Sequence, residues 1–370
     1  MKRTRLDLSL RLSLGAAILF STMTAATAQE ICGLASVQYN QMHSDGFEGA
    51  QQASASASVS STPEKSSAVT DAQAPLRALF DLGKPMGYAP KIAKGVAPTV
   101  TIISPTNGAT LPGRTFEIRG AFTGPINTGV SINGSPARTL GNQWVAGPIR
   151  PEIGGLTIAA VATTLDGLTA NATRNVSVAD TPPKIQMIAN RAGGMAPAAI
   201  GFRLRFGGAV SGNVQIDFDG DMLNDFDGPL AAVPERFTYA VPGFYTARVS
   251  ATVDSTPVSA DATVVVADVM VQRQRACSVY GALREALAAD DLEASLITFA
   301  LPKQEAFRPF FTSLGSNRPV FATRLGTIAN GLIGLESAEL SVLRIESGQP
   351  YGYPLGIASG DDGVWRITSF

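Results

Sequence analysis

The chain has 370 residues, of which 45% are hydrophobic and only 16% charged, with 37 Gly and 23 Pro. That balance suits β-rich modules with many turns and argues against a charge-dense helical protein; the length allows two to four units of roughly 100–200 residues each. With 29 Lys+Arg against 30 Asp+Glu there is no basic excess to hold a phosphate backbone, so nucleic-acid binding is not expected. One His and two Cys exclude most histidine-based catalysis and every Cys/His zinc cluster.

Residues 1–28 carry Lys2, Arg3, Arg5 and Arg11, an apolar stretch from Leu12 to Phe20 and beyond, and then Ala26-Thr27-Ala28. This is the three-part layout of a secretory signal peptide, with cleavage expected after Ala28. Ser and Thr interrupt the apolar run, which falls short of the roughly 20 residues of a membrane span. Ile31 stands before Cys32 where a lipobox requires a small residue, so lipidation is not expected. Removing the leader takes away four positive charges and one negative, moving the formal charge from −1 to −4. The expected product is secreted (periplasmic, cell-surface or extracellular), with no transmembrane segment after cleavage. In an oxidising compartment, Cys32 and Cys277 can pair with each other or with a second chain, and the sequence leaves these alternatives open.

Residues 29–97 shift to Ala, Ser, Gln, Thr and Pro around QQASASASVSSTPEKSS and read as a disordered tether, with a short amphipathic patch at Ala74 to Leu82. The only histidine, His43, falls here and reads as solvated.

Residues 98–180 alternate as short strands: TVTIISP, TFEIRGAF, GVSINGSPA, QWVAGPI, LTIAAVATT and ATRNVSVA. Asn107-Gly108, Asn133-Gly134, Gly141-Asn142 and Asp166-Gly167 supply the turns, and the spacing predicts an immunoglobulin-type β-sandwich. Ile103-Ser104-Pro105 with Asn107-Gly108, Val130 to Gly134, and Leu156 to Gly167 together resemble the bacterial immunoglobulin-like domains. The resemblance implies an accessory module of a secreted protein, here without the vertebrate-style Cys pair, so apolar packing must hold the core.

Thr181-Pro182-Pro183 introduces a second β module over 181–268. Phe237 to Val249 reads as a hairpin around Pro242-Gly243. With Val214 to Asp221, it resembles the polycystic-kidney-disease (PKD) repeat, departing from it in having Ile216-Asp217 where a Trp-Asp pair is usual. Within DFDGDMLNDFDG stand Asp217, Asp219, Asp221, Asp225 and Asp227. Hard oxygens at alternate positions on a tight turn suit Ca²⁺, although Gly220 and Gly228 do not fit an EF-hand. The competing reading is a solvated turn whose carboxylates cap backbone amides. No cofactor other than this candidate Ca²⁺ is expected.

Over 269–370 the pattern becomes helical. Ser278 to Ala289 places Val279, Leu283 and Leu287 on one face, Asp290-Asp291 caps a helix from Leu292 to Phe299, and Lys303 to Leu314 makes a third. Strands follow at Ala338 to Glu346, Tyr353 to Ala358 and Val364 to Phe370, indicating an α+β domain. Asp362 to Ile367 with Phe370, and Ala288 to Ala294, resemble the closing strand and opening helix of the nuclear-transport-factor-like superfamily. That resemblance implies a cone-shaped fold with a pocket between sheet and helices, for which Tyr280, Arg284, Phe307, Arg344 and Tyr353 are the candidate lining. The resemblance implies a catalytic Asp/His pair or paired acids in that pocket; this domain has no histidine, and its Asp290, Asp291, Asp361 and Asp362 fall at element ends, where turns and caps explain them.

The fold class expected is therefore mainly β, two immunoglobulin-like sandwiches with a C-terminal α+β domain. The expected function is non-catalytic: adhesion, or binding of an extracellular protein or polysaccharide. The alternatives are an accessory subunit of a secreted hydrolase or toxin system, or an enzyme using a pocket in the C-terminal domain.

Overall fold

The computed structural model describes residues 94–111, 116–149, 151–347 and 349–370. The leader, nearly all of the tether, His43 and Cys32 lie outside the described residues.

The first unit is a two-sheet sandwich. One sheet has the order β1 (Thr99–Ser104), β3 (Phe116–Thr123), β7 (Gln143–Ile149), β6 (Arg138–Leu140). The other has the order β2 (Thr110–Leu111), β9 (Thr169–Val178), β8 (Gly154–Thr163), β4 (Gly129–Ile132), β5 (Ser135–Pro136). In immunoglobulin lettering these are ABED and A′GFCC′, so the unit is immunoglobulin-like by topology. The Asn133-Gly134 turn closes the β4–β5 hairpin with φ of 49° and 80°, the double positive φ of a type I′ turn. In place of a disulfide, the fully buried Trp144 lies over Gly120, where an added Cβ would fall 2.3 Å from the indole and 2.0 Å from the Thr101 carbonyl.

The second unit repeats the plan. A three-stranded sheet has the order β10 (Ile185–Ala189), β12 (Ala198–Phe206), β15 (Arg236–Tyr239); a five-stranded sheet has β11 (Gly193–Met195), β17 (Thr256–Ala267), β16 (Gly243–Val253), β13 (Val210–Asp217), β14 (Phe226–Gly228). The hairpin expected around Pro242-Gly243 is not formed: β15 pairs with β12 while β16 pairs with β13 and β17, so the chain crosses between sheets at that turn. The Tyr245 hydroxyl donates to the Val241 carbonyl at 2.7 Å and clamps the crossover, as the tyrosine corner of immunoglobulin-like domains does. Replacing Tyr245 with Phe should cost about 1 kcal/mol, the net worth of one hydrogen bond, measured as a lower midpoint in chemical unfolding. An unchanged midpoint would remove the corner from the list of stabilising features. A run of rings fills the rest of this core: Phe202–Phe218 at 5.4 Å, Phe218–Phe237 at 4.8 Å, Phe237–Tyr239 at 5.0 Å and Tyr239–Tyr245 at 4.6 Å.

The third unit is α+β. Helices α1 (Val269–Ala288), α2 (Leu292–Leu296), α3 (Leu301–Leu314) and α4 (Arg318–Arg324) precede an antiparallel meander, β18 (Thr327–Ile333), β19 (Ser337–Glu346), β20 (Gln349–Ser359), β21 (Trp365–Ser369). The first helix starts nine residues before the expected Ser278 because Asp268, following directly on β17, caps it by accepting from the Met270 amide at 2.6 Å. Asp291 caps α2 in the same way, accepting from the Ala294 amide at 2.9 Å. The helices and sheet close on Phe299, which stacks on Phe307 at 4.5 Å and meets Phe311 at 5.8 Å. Cys277, buried in this core, is disulfide-bonded.

The first unit touches both of the others. Glu117 on β3 accepts from the Thr263 amide of β17 through both oxygens, at 2.9 and 3.0 Å, and Arg119 donates to the Thr246 hydroxyl at 3.0 Å. A cleft of about 270 Å³ remains beside this seam, with Ser104, Pro148, Met187 and Asp261 in its wall. The first unit also meets the third. The Asn127 side chain donates to the Trp365 carbonyl at 2.9 Å and accepts from its amide at 2.8 Å, both residues being buried. Arg275 donates to the Thr139 hydroxyl at 3.1 Å and lies 5.9 Å over the Trp365 ring. Burial lowers the Arg275 pKa to about 10, still far above neutrality, so the cation persists there and is held by the ring face and the hydroxyl. Arg138 and Glu336 add an ion pair at 3.4 Å at the rim.

Candidate functional site

The acidic loop joins β13 to β14 at one end of the second sandwich. Strand alternation aims Phe218 into the core, where it is buried and stacked on Phe237, and this pins the root of the loop. The Phe218 carbonyl accepts from the Tyr239 hydroxyl at 2.8 Å, and its amide donates to Asp225 at 2.7 Å. Asp217 caps the turn, accepting from the Gly220 amide at 2.6 Å and the Met222 amide at 2.9 Å. Gly220 and Met222 take φ of 82° and 73° to make that reversal.

Three of the five expected carboxylates converge. One oxygen each from Asp217, Asp219 and Asp225 lie within 4.8 Å of one another. Asp221 instead accepts from the Leu223 amide at 2.7 Å, and Asp227 turns to Asn213 and Gln215 at 2.8 and 2.9 Å. The Asp219 carboxyl is raised above its ordinary value, by burial first and then by the carboxylates of Asp221, Asp225 and Asp217. The same negative field, after burial, raises the phenols of Tyr239 and Tyr245.

The donor set fits a hard cation. A carboxylate has about four lone-pair sites, so Asp217 and Asp225 retain acceptor capacity beyond their amide bonds, and among the described residues Asp219 is held only by the Asp221 amide at 3.2 Å. Three such groups with solvent would meet the six to eight oxygens that Ca²⁺ takes. At the tip, Met222 and Leu223 are 89% and 70% exposed.

The five residues expected to line a pocket in the third unit do not gather. Tyr280 is buried and its hydroxyl donates to the Gly326 carbonyl at 2.7 Å, with burial pushing its phenol up to about 12. Phe307 packs on the same core, and Arg284 is exposed on α1. Arg344 and Tyr353 do come together, through a residue that sequence reasoning passed over: Glu346 lies 3.2 Å from Arg344 and accepts from the Tyr353 hydroxyl at 2.7 Å. Hairpin register supplies this grouping, since Glu346 pairs with Gln349 and Arg344 with Tyr351, which sets these side chains on one face.

No protein-family model matches the chain, and no curated protein matches it. Among solved structures it is similar to the fibronectin(III)-like modules of Clostridium thermocellum CbhA, at 20% identity over 46% of this chain and 95% of that one, with a TM-score of 0.18. It is similar also to the titin domains z1z2 in complex with telethonin, at 13% identity over 46% and 97% with a TM-score of 0.17. The N-terminal Ig1-2 module of the Drosophila receptor protein tyrosine phosphatase DLAR matches at 9% identity over 46% and 98%, with a TM-score of 0.20. Each covers less than half of this chain.

Proposed function

We propose that this is a secreted or cell-surface, non-catalytic multidomain protein that binds an extracellular protein or polysaccharide. In this reading residues 1–28 direct export and residues 29–97 tether the folded part. The second sandwich is PKD-like, the terminal domain belongs with the nuclear-transport-factor-like folds, and the loop of Asp217, Asp219 and Asp225 takes Ca²⁺. The observation that carries the proposal is the docking of the first sandwich on the other two units, above all the reciprocal pairing of Asn127 with the Trp365 backbone. A binding protein that bears load or presents a surface gains from a fixed arrangement, because pre-set geometry lowers the entropy cost of binding.

Expression in a bacterial host with fractionation tests the address: the exported form should begin at Gln29, as read by N-terminal sequencing. Exported protein incubated with washed cell envelopes should be retained saturably, and retention should fall when EDTA is added. Finding the chain in the cytoplasm with Met1 intact, or no saturable retention at all, would overturn the reading.

The cation is tested separately. Calcium at roughly 100 times its Kd should add about 2.7 kcal/mol to the stability of the second sandwich, seen as a higher Tm that EDTA abolishes. Asp219→Asn should abolish that increment. In metal-free protein the same substitution should not destabilise, because it removes a carboxylate that its neighbours repel. The sign follows from the raised pKa: the folded state holds the Asp219 proton more firmly than the unfolded chain does. Its contribution to stability is therefore lost as pH rises through and above the ordinary carboxylate range. A Tm indifferent to calcium removes the metal from the proposal.

A further inference from the structure

The face of the terminal sheet that packs on the helices continues beyond them. On β19 the buried Ala338, Leu340 and Val342 are followed at the same two-residue period by Arg344 and Glu346. On β20 the buried Ile357 and Leu355 are followed outward by Tyr353 and Tyr351, which are 40% and 50% exposed. The register sets Tyr351 opposite Arg344 and Tyr353 opposite Val342, so both rings stand on the face of the charged pair. Two residues along a strand separate the rings by about 7 Å.

We propose that this outer half of the sheet face, Tyr351 and Tyr353 framed by Arg344 and Glu346, is a platform for a neutral polysaccharide. The proposal rests on the reading of the protein as a non-catalytic binder and names the class of its ligand. A pyranose ring has an apolar C–H face and a rim of hydroxyls. An aromatic ring covers the first at little entropy cost, and fixed donors and acceptors satisfy the second. Arg344 has five N–H donors and uses one group on Glu346, and Glu346 has a second oxygen beyond the one that Arg344 and Tyr353 share. The bond from Tyr353 to Glu346 fixes that ring before ligand arrives; it also raises the Tyr353 phenol, which therefore stays protonated and neutral.

Charge selects among ligands. The guanidinium and carboxylate neutralise each other, so the platform has no net field to draw a polyanion. Single-stranded nucleic acid would need a basic groove beside the rings. A protein partner would be met by a continuous apolar centre from which charge is depleted, whereas here an ion pair stands among the rings.

The test is affinity electrophoresis of the full chain in native gels containing hydroxyethyl cellulose or soluble starch as neutral glucans, or dextran sulfate as the polyanion. One of the neutral glucans should retard the wild type. Tyr351→Ala and Tyr353→Ala should each weaken that retardation roughly tenfold, while Tyr351→Phe keeps it. Both tyrosines are exposed, so the unfolding midpoint should stay at the wild-type value in Tyr351→Ala and fall by no more than the one hydrogen bond to Glu346 in Tyr353→Ala, which reports that the variants are folded. Retardation by neither neutral glucan, retardation by dextran sulfate alone, or retardation undiminished in the double alanine variant overturns the platform. Envelope retention separates the two readings. If it persists without glucan binding, the platform fails and the non-catalytic binder stands; if both are missing, both fail.

Discussion

Replacing Asn127 with alanine is expected to destabilise the folded protein by about 3 kcal/mol and to release the terminal domain from the first sandwich. The side chain is 2% exposed and satisfies both backbone groups of Trp365, itself 1% exposed, so truncation strands one buried donor and one buried acceptor. Each orphaned group costs about 1–3 kcal/mol. A second term comes from the backbone. Asn127 has a φ of 71°, which asparagine tolerates and alanine does not, at about 1 kcal/mol. Asn127→Gly should therefore recover roughly that 1 kcal/mol and no more, since it relieves the strain while leaving Trp365 unpaired. Urea unfolding of the three proteins separates the terms. A midpoint for Asn127→Ala equal to that of the wild type would show that the pairing contributes nothing.

Gly129→Ala should act on the same seam by collision. A Cβ at Gly129 would lie 2.2 Å from the carbonyl carbon of Gly363, 2.3 Å from the Val364 nitrogen and 2.4 Å from the Asp362 oxygen. These are backbone atoms in a closed turn. The Gly360 amide donates to Val364 and the Gly363 amide to Gly360, both at 2.9 Å, and Arg366 clamps Asp362 at 2.7 and 2.9 Å. The turn has little freedom to move aside, so the units must part, at a cost of about 3 kcal/mol, the upper range for overpacking. The chain has two tryptophans, Trp144 and Trp365, both fully buried. In a Trp144→Phe background, emission therefore reports Trp365 alone, and it should shift to the red in Gly129→Ala. Blue emission together with an unchanged midpoint would contradict the clash. The Asn127 and Gly129 substitutions undo one seam, so their combined cost should fall well short of the sum.

Strand alternation and turn chemistry made much of the architecture legible. Asn133-Gly134 and Asp166-Gly167 mark real turns, and Val100 with Ile102, or Ile158 with Ala160 and Ala162, face the core at period two as the pattern requires. The short strands β2 and β11 escaped notice. Two or three residues carry no period, and both pair in parallel with a strand distant in sequence. Pro242-Gly243 misled for a related reason: the dipeptide specifies a reversal, but not whether the returning strand rejoins the same sheet. The acidic loop was visible as composition, whereas its selection of Asp217, Asp219 and Asp225 follows from Phe218 entering the core and drawing Asp225 to its amide. Arg344 and Tyr353 were visible singly, and only register joined them through Glu346.

The sequence by itself determined the local terms: which stretches alternate, where the chain turns, that an Asp caps the helix from Leu292, and that two sandwiches precede an α+β domain. These depend on neighbours a few residues apart, where backbone sterics and side-chain period act directly. Tertiary structure alone decided how the units meet. Asn127 and Trp365 are 238 positions apart and carry no mutual signature. Gly129 reads as an ordinary strand glycine until the backbone of Gly363 lies against it. Such contacts are selected by shape and by the cost of leaving buried polar groups unpaired, and both are properties of surfaces that exist only after each unit has folded.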